Sequence, residues 1–316
     1  MGIDLHVAVG ILQQGDEVLI TRRLRGSHMG GYWEFPGGKF DGSETAPEAL
    51  ARELREELGI GIEPAFPLIR LKYDYPDRRV ILHVWRIARF ISTPRSCEGQ
   101  TLRWAPIADL DNYTFLPANK PILTSIRLPD RYGFVDDESR DPEILFRQLQ
   151  ALVGQGIRLV RLRASGLTGA DYRALAERCV DYCAENGVAL LLADVADTGS
   201  VLPEAAGLHL TARQLMMAGK RPLLTGAQKW VAASCHNGME LGHAERIGID
   251  FAVLSPVLPT ATHPGMSALG WERFSALVEG CSLPVFALGG MMPENLHFAK
   301  FQGAQGIAAI RGFFAQ

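Results

Sequence analysis

A glycine-rich turn that runs straight into an amphipathic helix, between Gly38 and Ile60, constrains the fold of this chain more than any other stretch. Thr45 is typical of a helix N-cap, and Glu48 three residues later completes a capping box. Gly59 predicts the left-handed stop at the other end. Leucines recur every four residues and predict the buried face: Leu50, Leu54 and Leu58. The stretch therefore predicts a tight turn followed by a helix that packs on a core.

Three glutamates of this helix, Glu53, Glu56 and Glu57, lie three and four residues apart, so their carboxylates share one side. At an effective dielectric constant of ~20 and a separation of ~5 Å, each pair of like charges costs roughly 3 kcal/mol. A helix that keeps such a cluster needs either full solvation of the carboxylates or a bound cation. The pattern has two interpretations, a solvated acidic face and a divalent-metal site.

Short strands surround this helix in the first part of the chain. They are predicted at Val7–Leu12, Glu17–Thr21, Leu68–Tyr75, Val80–Phe90 and Thr101–Trp104. A last helix follows Pro117. Strands mixed with few helices predict an α+β sandwich. A new pattern of elements begins near Leu128, which predicts a first domain of residues 1–128 and a second of residues 129–316.

The stretch from Gly38 to Ile60 fills every fixed position of Gly-x5-Glu-x7-Arg-Glu-Leu-x-Glu-Glu-x-Gly-Ile, the Nudix box. Further segments resemble the MutT-type Nudix hydrolases: Val9–Leu12, Ile20–Arg23, His28–Met29, Glu34–Lys39, Tyr75–Arg78 and Pro117–Pro121. The resemblance covers nearly all of residues 1–128. It implies hydrolysis of 8-oxo-dGTP, or a related oxidised purine nucleoside triphosphate, to the monophosphate and pyrophosphate with Mg²⁺ or Mn²⁺.

The same resemblance assigns roles by position. The implied metal ligands are the Gly37 carbonyl, Glu53, Glu56, Glu57 and Glu98. The implied catalytic group is Glu44, Arg52 and Glu53. Within it, Glu53 is the expected base for the attacking water, and Arg52 is expected to hold the carboxylates in place. The implied nucleotide contacts are Arg23, His28, Phe35, Gly38, Lys39, Arg78 and Asn119. For the arginines, an ordinary surface position is the alternative.

Asn119 is the residue that bears on base choice. Its amide presents an acceptor and two donors in one plane. Guanine presents O6 and N7 as acceptors, whereas 8-oxoguanine presents O6 as an acceptor and a protonated N7 as a donor. An asparagine that donates to O6 and accepts from N7–H matches only the oxidised base, and an unmatched contact costs about 1–3 kcal/mol. The alternative is a turn residue between two prolines.

From residue 132 onward, apolar strands alternate with helical segments. Eight strands are predicted, at 132–135, 159–163, 189–193, 208–210, 230–233, 251–254, 284–287 and 306–309, with a helix from Thr168 to Glu185 after the second. Such alternation predicts a parallel (β/α)8 TIM barrel, whose active site lies at the carboxyl ends of its strands.

Unusual residues follow several of these strands, notably Ser234-Cys235-His236, a run from Ser255 to Gly265 and Leu288–Met291. Together these segments resemble the thiamin phosphate synthase and TenI group over nearly the whole second half. The resemblance implies a thiazole phosphate or thiamin phosphate ligand. The implied phosphate and ligand contacts are Asp194, Ser234, His236, Thr260, Thr262, Gly289, Gly290, Arg311 and Gly312.

The second half also departs from the synthase pattern. Arg161-Leu162-Arg163 replaces Gln-Leu-Arg, Ala193-Asp194 replaces Asn-Asp, and Thr211-Ala212 replaces Gly-Gln. These changes weaken the pyrophosphate and metal site of a synthase. Asp194 and His236 are therefore candidates, with an ordinary barrel-end histidine as the alternative for His236.

Composition narrows the setting. The net charge of −3 over 316 residues argues against direct nucleic-acid binding. Five cysteines without a CxxC pair indicate reduced thiols, and Cys179 and Cys183 are interpreted as core residues rather than metal ligands. A strand-like start without a basic segment and the lack of a long apolar run predict a cytoplasmic protein that does not enter the membrane.

Two further hypotheses remain open. In one, the first half hydrolyses a thiamin-related diphosphate, as its fusion to the second half suggests. In the other, the barrel is a thiazole tautomerase or a non-catalytic ligand-binding module.

Overall fold

The structure is a computed structural model that describes residues 4–76, 78–136, 139–167, 169–193, 202, 205–224, 229–260 and 267–314. The chain forms two compact units. The first comprises residues 1–127 with Val278–Ser282, and the second comprises residues 128–277 and 283–316. The domain limits 1–128 and 129–316 stay a prediction.

The first unit is built on a mixed sheet of seven strands. They are β1 (Leu5–Gln14), β2 (Glu17–Arg22), β3 (Trp33–Glu34), β4 (Gly37–Lys39), β5 (Gly61–Asp74), β6 (Arg79–Ile91) and β7 (Thr101–Pro106). Strand β1 pairs in parallel with β6 and antiparallel with β2 and β4. The helices are α1 (Ala46–Leu58) and α2 (Lys120–Arg127), with 3-10 turns at Ile107–Asn112 and Pro117–Asn119.

The two faces of this sheet carry separate hydrophobic clusters. Neighbouring residues of β1 point to opposite faces, so Ala8 packs with the leucines of α1 and Val9 packs with Ile122 and Ile126 of α2. One helix therefore covers each face. The predicted α+β sandwich is confirmed.

Helix α1 follows its local sequence signals. The Thr45 N–H donates to Glu48 Oε2 at 2.8 Å, as the capping box predicts. Gly59 ends the helix at φ 67°, and its N–H donates to the Arg55 carbonyl. Leu50, Leu54 and Leu58 are fully buried. Each such leucine contributes about 2 kcal/mol of burial free energy, which holds the helix on the sheet.

Strand β5 begins at Gly61 and not at Leu68, so the predicted start was wrong by seven residues. Its first part pairs with β6 from Gly61 opposite Ile91, and the register shifts between Pro67 and Ile69. Proline cannot donate to the ladder and is found at such irregularities. The proline obscured the strand in the sequence, and the long partner strand extends it.

The second unit is a closed barrel of eight parallel strands, which confirms the TIM-barrel prediction. They are β8 (Arg131–Asp136), β9 (Leu159–Arg163), β10 (Ala189–Leu192), β11 (Gly207–Leu210), β12 (Trp230–Cys235), β13 (Phe251–Leu254), β14 (Val285–Leu288) and β15 (Gly306–Ala309). Each strand pairs with the next, and β15 closes the barrel on β8. The described helices are α3 (Pro142–Gly154), α4 (Gly169–Glu185), α5 (Ala212–Met217), α6 (Gly238–Ile247), α7 (Gly270–Glu279) and α8 (Asn295–Phe301).

Two strand ends differ from the prediction. Ser234 and Cys235 belong to β12 and do not follow it, because the strand pairs with β13 as far as Cys235 opposite Leu254. Leu288 is likewise the last residue of β14, since it pairs with Ala308. Thr168, the predicted start of α4, lies outside the described residues. Within the described part of the chain, none of the helices combines the length and apolar character that crossing a membrane requires.

Candidate functional site

Two glycines let the turn before α1 approach both the sheet and the helix. Gly37 has φ 136°, and a Cβ there would lie 2.1 Å from the Ala8 carbonyl oxygen. A Cβ on Gly38 would lie 2.4 Å from both carboxylate oxygens of Glu53. No larger residue fits at either position without displacing a neighbour. The glycines therefore place the Glu53 carboxylate directly against the backbone of the turn.

Burial and like charge act together on the glutamates of α1. Burial raises the pKa of Glu57 to about 8, a hydrogen bond from the Gly37 N–H at 3.1 Å opposes this, and nearby Glu34, Glu53 and Glu98 add to the rise. Burial also raises the pKa of Glu53, although Arg52 partly offsets it. The carboxylates thus form a partly buried group with excess negative charge.

Arg52 holds several of these carboxylates together. Its guanidinium contacts Glu44 at 2.8 Å, Glu53 at 3.0 Å and Glu56 at 3.1 Å. It also donates to the Lys39 carbonyl at 2.9 Å. Hydrogen bonds from Arg52 and from a backbone N–H lower the pKa of Glu44 to about 2. Arg52 is therefore surrounded by carboxylates, as expected of a group that positions them.

The loop that carries Glu98 is fixed to the end of α1. The Glu98 N–H donates to Gln100 Oε1 at 3.1 Å, and Gln100 Nε2 donates to the Glu57 carbonyl at 3.2 Å. The Cys97 N–H donates to the same carbonyl at 2.9 Å. Gln100 is not among the predicted site residues, and the signal for it in the sequence is its place two residues after Glu98. Its side chain brings the loop carboxylate into electrostatic reach of Glu53 and Glu57.

These groups suit a hard divalent cation by their chemistry. Oxygen donors with uncompensated negative charge are what Mg²⁺ and Mn²⁺ prefer. Gly37, Glu53, Glu57 and Glu98 supply them, and Glu56 lies on the same helix face. Within the described residues, however, no three His, Cys, Asp or Glu side chains stand ready-made around one point. The carboxylates therefore fit a cation as a set of donors, but their side chains must move to meet on it.

A cavity of about 150 Å³ opens beside this cluster. Its lining brings together five of the predicted nucleotide contacts: Arg23, His28, Phe35, Arg78 and Asn119. The other two lie at the carboxylate cluster instead, since Gly38 packs on Glu53 and the side chain of Lys39 is exposed. The remaining lining is mostly apolar, and five of its residues come from β1 and β6: Leu5, Val7, Val9, Val80 and Leu82.

Asn119 is buried in this cavity with an exposed fraction of 5%. Its Oδ1 atom is buried without a hydrogen-bond partner among the residues that the structure describes. A buried unpaired acceptor is uncommon and points to a ligand that satisfies it. Phe35, whose ring stacks on Phe115 with centroids 5.4 Å apart, lines the same cavity.

Glu34 was missed by sequence analysis. It lines the cavity and accepts from Arg23 Nη1 at 2.7 Å, while Arg23 Nε donates to the His28 carbonyl at 2.9 Å. Burial raises the pKa of Glu34 despite this arginine. Tyr75 was also missed. Glu34 and Tyr75 both lie in segments that resemble the MutT-type Nudix hydrolases, and this resemblance was the signal that could have identified them.

The barrel has a mostly apolar cavity of about 260 Å³ at the carboxyl ends of its strands. Six of the predicted ligand contacts line it: His236, Thr260, Gly289, Gly290, Arg311 and Gly312. The His236 Nδ1 atom lies 2.8 Å from the Ser255 carbonyl, so Nδ1 carries the hydrogen and Nε2 remains available as an acceptor. Asp194 and Thr262 lie outside the described residues.

Ser234 does not belong to this lining. Its Oγ lies 2.9 Å from Nε2 of His209, which in turn contacts Tyr132. Neither His209 nor Tyr132 was predicted as a site residue, because a lone histidine and tyrosine within apolar strands give no signal of their pairing.

The fold and site define an enzyme of two units, a hydrolase with a carboxylate-bearing helix beside a cavity of about 150 Å³ and a parallel barrel with its own cavity. A family model described as NUDIX domain matches residues 7–125, and one described as Thiamine monophosphate synthase matches residues 132–313. The chain therefore belongs to the Nudix family through its first unit and to the thiamine monophosphate synthase and TenI family through its second. Nudix hydrolases generally use divalent metals such as Mg²⁺.

Individual relatives agree with this division. An 8-oxo-dGTP diphosphatase of Escherichia coli is 38% identical over 124 residues, which are 39% of this chain and 96% of the relative. A CTP pyrophosphohydrolase of the same organism is 33% identical over 38% of this chain and 88% of the relative. A thiamine-phosphate synthase of Chlorobium luteolum is 32% identical over 56% of this chain and 81% of the relative. The predicted resemblances of both halves are confirmed.

Proposed function

We propose that the first unit hydrolyses 8-oxo-dGTP and related oxidised purine nucleoside triphosphates to the monophosphate and pyrophosphate. Such an activity removes mutagenic precursors before DNA replication and so acts in the prevention of DNA damage. The observation that carries the proposal is the buried, unpaired Oδ1 of Asn119 in the cavity beside the Nudix helix. The 8-oxo-dGTP diphosphatase relative supports it.

The amide of Asn119 distinguishes the two bases through N7. Its Oδ1 accepts from the N7–H of 8-oxoguanine while its NH₂ group donates to O6. With guanine, Oδ1 meets the N7 lone pair, and two acceptors face each other. The unmatched pair costs about 1–3 kcal/mol, which corresponds to roughly 5- to 150-fold in binding. Phe35 and the apolar side chains of β1 and β6 contribute contact area that does not discriminate.

The proposed ligands of Mg²⁺ or Mn²⁺ are the Gly37 carbonyl, Glu53, Glu56, Glu57 and Glu98. When bound, the ion neutralises phosphate charge and lowers the pKa of water. Glu53 orients the attacking water and takes its proton. Arg52 holds Glu44, Glu53 and Glu56 in place through its three carboxylate contacts.

Hydrolysis of a substrate panel by the full-length protein tests this proposal. The panel contains dGTP, 8-oxo-dGTP, their ribose forms, CTP and thiamin diphosphate, with Mg²⁺ and Mn²⁺ compared, and pyrophosphate or phosphate release is measured. The expected result is the highest kcat/KM for 8-oxo-dGTP. A higher value for CTP, the substrate named for one relative, or for thiamin diphosphate would contradict the proposal.

For the barrel, we propose binding of a thiazole phosphate or thiamin phosphate without efficient joining of pyrimidine and thiazole. The support is the mouth cavity, where the backbone of Gly289–Gly290 and Arg311–Gly312 meets an apolar wall. Glycine backbone after the seventh and eighth strands is the usual phosphate position in this fold. Calorimetry with thiazole phosphate measures binding, and thiamin phosphate formation from both precursors measures synthase activity. Robust formation of thiamin phosphate would contradict the proposal that the barrel does not join the two precursors efficiently.

We further propose residues 1–128 and 129–316 as the two domains, and the cytoplasm, where nucleoside triphosphates are consumed, as their location.

A further inference from the structure

Met29 lines the cavity of the first unit with an unusual backbone conformation. Its φ angle is 54°, in the left-handed region that residues with a side chain rarely adopt. Among the described residues, Ser92 is the one other non-glycine residue at positive φ, and it does not line the cavity. A glycine would adopt this conformation without steric cost, so position 29 keeps a side chain despite that cost.

The loop Arg23–Tyr32 fixes the backbone on both sides of Met29. Before Met29, the Arg23 Nε atom donates to the His28 carbonyl at 2.9 Å. After it, the Gly31 N–H donates to the Arg23 carbonyl at 3.0 Å. Arg23 thus closes the loop with both its side chain and its backbone. These bonds hold Met29 in the left-handed region, since the loop cannot relax there without breaking them.

The residues after Met29 show where this loop needs backbone alone. A Cβ on Gly30 would lie 2.5 Å from the Leu24 carbonyl oxygen, and Gly31 has φ 90°. Both positions are occupied by glycine. Met29, at a position that also favours glycine, instead contributes a side chain to the cavity lining. A strained residue kept at a binding cavity indicates that its side chain has a function there.

The thioether of methionine suits the face of a heteroaromatic base. Methionine is unbranched and polarizable, and its sulfur makes favourable contacts with aromatic rings. Asn119, which lines the same cavity, is assigned above to the edge of the base. The ring faces of the base still require apolar contacts, and Met29 is half-buried while the cavity is empty of nucleotide. A bound base can therefore cover the part of Met29 that remains exposed.

The same sulfur can be oxidised. A peroxide transfers one oxygen atom to a sulfur lone pair, which gives the sulfoxide, and hydrogen peroxide leaves as water. The sulfoxide replaces an apolar contact with a polar S=O group. Residues 1–128 contain two methionines, Met1 and Met29. Met29 is the one that lines the cavity.

We infer that the thioether of Met29 packs against the base of the bound nucleotide, and that its oxidation to the sulfoxide weakens nucleotide binding. Met29 is then an oxidation-sensitive site of the hydrolase unit, with a peroxide as the oxidant. The inference rests on the nucleotide substrate proposed above for this unit.

Oxidation with and without nucleotide tests the contact directly. Full-length protein is treated with limiting hydrogen peroxide, with and without 8-oxo-dGMP and Mg²⁺, and peptide mass spectrometry quantifies the sulfoxide at each methionine. With 8-oxo-dGMP at about ten times its Kd, oxidation of Met29 should slow about tenfold, since only the free protein reacts. Met217 on α5, with an exposed fraction of 76%, is the internal control and should react equally in both samples. Equal oxidation of Met29 with and without bound 8-oxo-dGMP would overturn the inference.

Steady-state kinetics test the consequence of oxidation. After removal of peroxide, wild-type protein should show a KM for 8-oxo-dGTP at least about fivefold higher, with kcat nearly unchanged, because a polar group now faces the base unmatched. Met29→Leu keeps the apolar bulk without the sulfur, so its KM should begin about two- to threefold above wild type and change less than about twofold on peroxide treatment.

Met29→Leu carries the same cysteines as the wild type, so a loss caused by thiol oxidation would appear in both proteins. Equal losses in the two proteins would overturn the inference, as would an unchanged KM in wild-type protein whose Met29 is oxidised. A wild type that prefers another nucleotide of the substrate panel to 8-oxo-dGTP would contradict the proposed function instead. The same peroxide comparison with that nucleotide then decides the role of Met29.

Discussion

Gly38→Ala should lower hydrolysis without unfolding the protein. The new Cβ would lie 2.4 Å from both carboxylate oxygens of Glu53, and contacts below 3.0 Å do not occur at real Cβ atoms. The atoms in the way are the end of a flexible side chain, so Glu53 can retreat. The backbone conformation of Gly38 lies outside the left-handed region, so alanine adds no strain of its own.

The size of the effect follows from the required movement. The nearest atom, the carboxyl carbon of Glu53, would lie 2.3 Å away, so Glu53 must shift by at least about 0.7 Å to reach 3.0 Å. This shift exceeds the ~0.5 Å tolerance of a working catalytic group. A misplacement of ~1 Å can cost about 100-fold in rate. We therefore expect kcat for 8-oxo-dGTP to fall about 10- to 100-fold with a smaller change in KM. The melting temperature should change by no more than about 3 °C, equivalent to about 1 kcal/mol.

Steady-state kinetics with Mg²⁺ and thermal unfolding of the same preparations provide the measurement. Gly26→Ala is the matched control, because its added Cβ meets nothing within 4 Å and its backbone is also outside the left-handed region. Gly26→Ala should leave both kcat for 8-oxo-dGTP and the melting temperature unchanged. Normal turnover by Gly38→Ala would refute the placement of Glu53 as a catalytic group. A parallel loss of activity and stability would show that the glycine serves the fold alone.

Three further changes test other parts of the first unit. Glu53→Gln should reduce kcat at least ~100-fold at saturating Mg²⁺, the scale of a general base, and near-normal turnover would exclude that role. Asn119→Ala should narrow the preference for 8-oxo-dGTP over dGTP by raising KM for the oxidised nucleotide while kcat for dGTP stays nearly constant; an unchanged ratio would make Asn119 a simple turn residue. Leu54→Ala should lower the free energy of unfolding by about 2–5 kcal/mol in denaturant titration, since the side chain is fully buried, whereas a loss below 1 kcal/mol would mean that the cavity collapses.

The candidate site was predictable where its signals are local. The glutamates of α1, its cap and its glycine stop lie within about two dozen residues, and a helix fixes the spacing of such groups by itself. The same holds for the alternation of strands and helices that predicts the barrel. The ends of the strands were predicted less accurately. Strands β5 and β12 are longer than predicted, because their partner strands supply hydrogen bonds that the sequence of a single segment does not show.

The sequence by itself determined the two units, their fold classes and the residues of the Nudix helix, because these depend on periodicity, turns and short-range spacing. Only the tertiary structure decided which distant groups meet. Tyr132 and His209 are 77 residues apart in the chain and 2.8 Å apart in space. Glu34 and Gln100 come close to the carboxylates of α1 only when strands and loops pack. The same packing buries the Oδ1 atom of Asn119 without a hydrogen-bond partner among the described residues. Burial and pairing of polar atoms are properties of the packed chain, since each depends on neighbours that the local sequence does not specify.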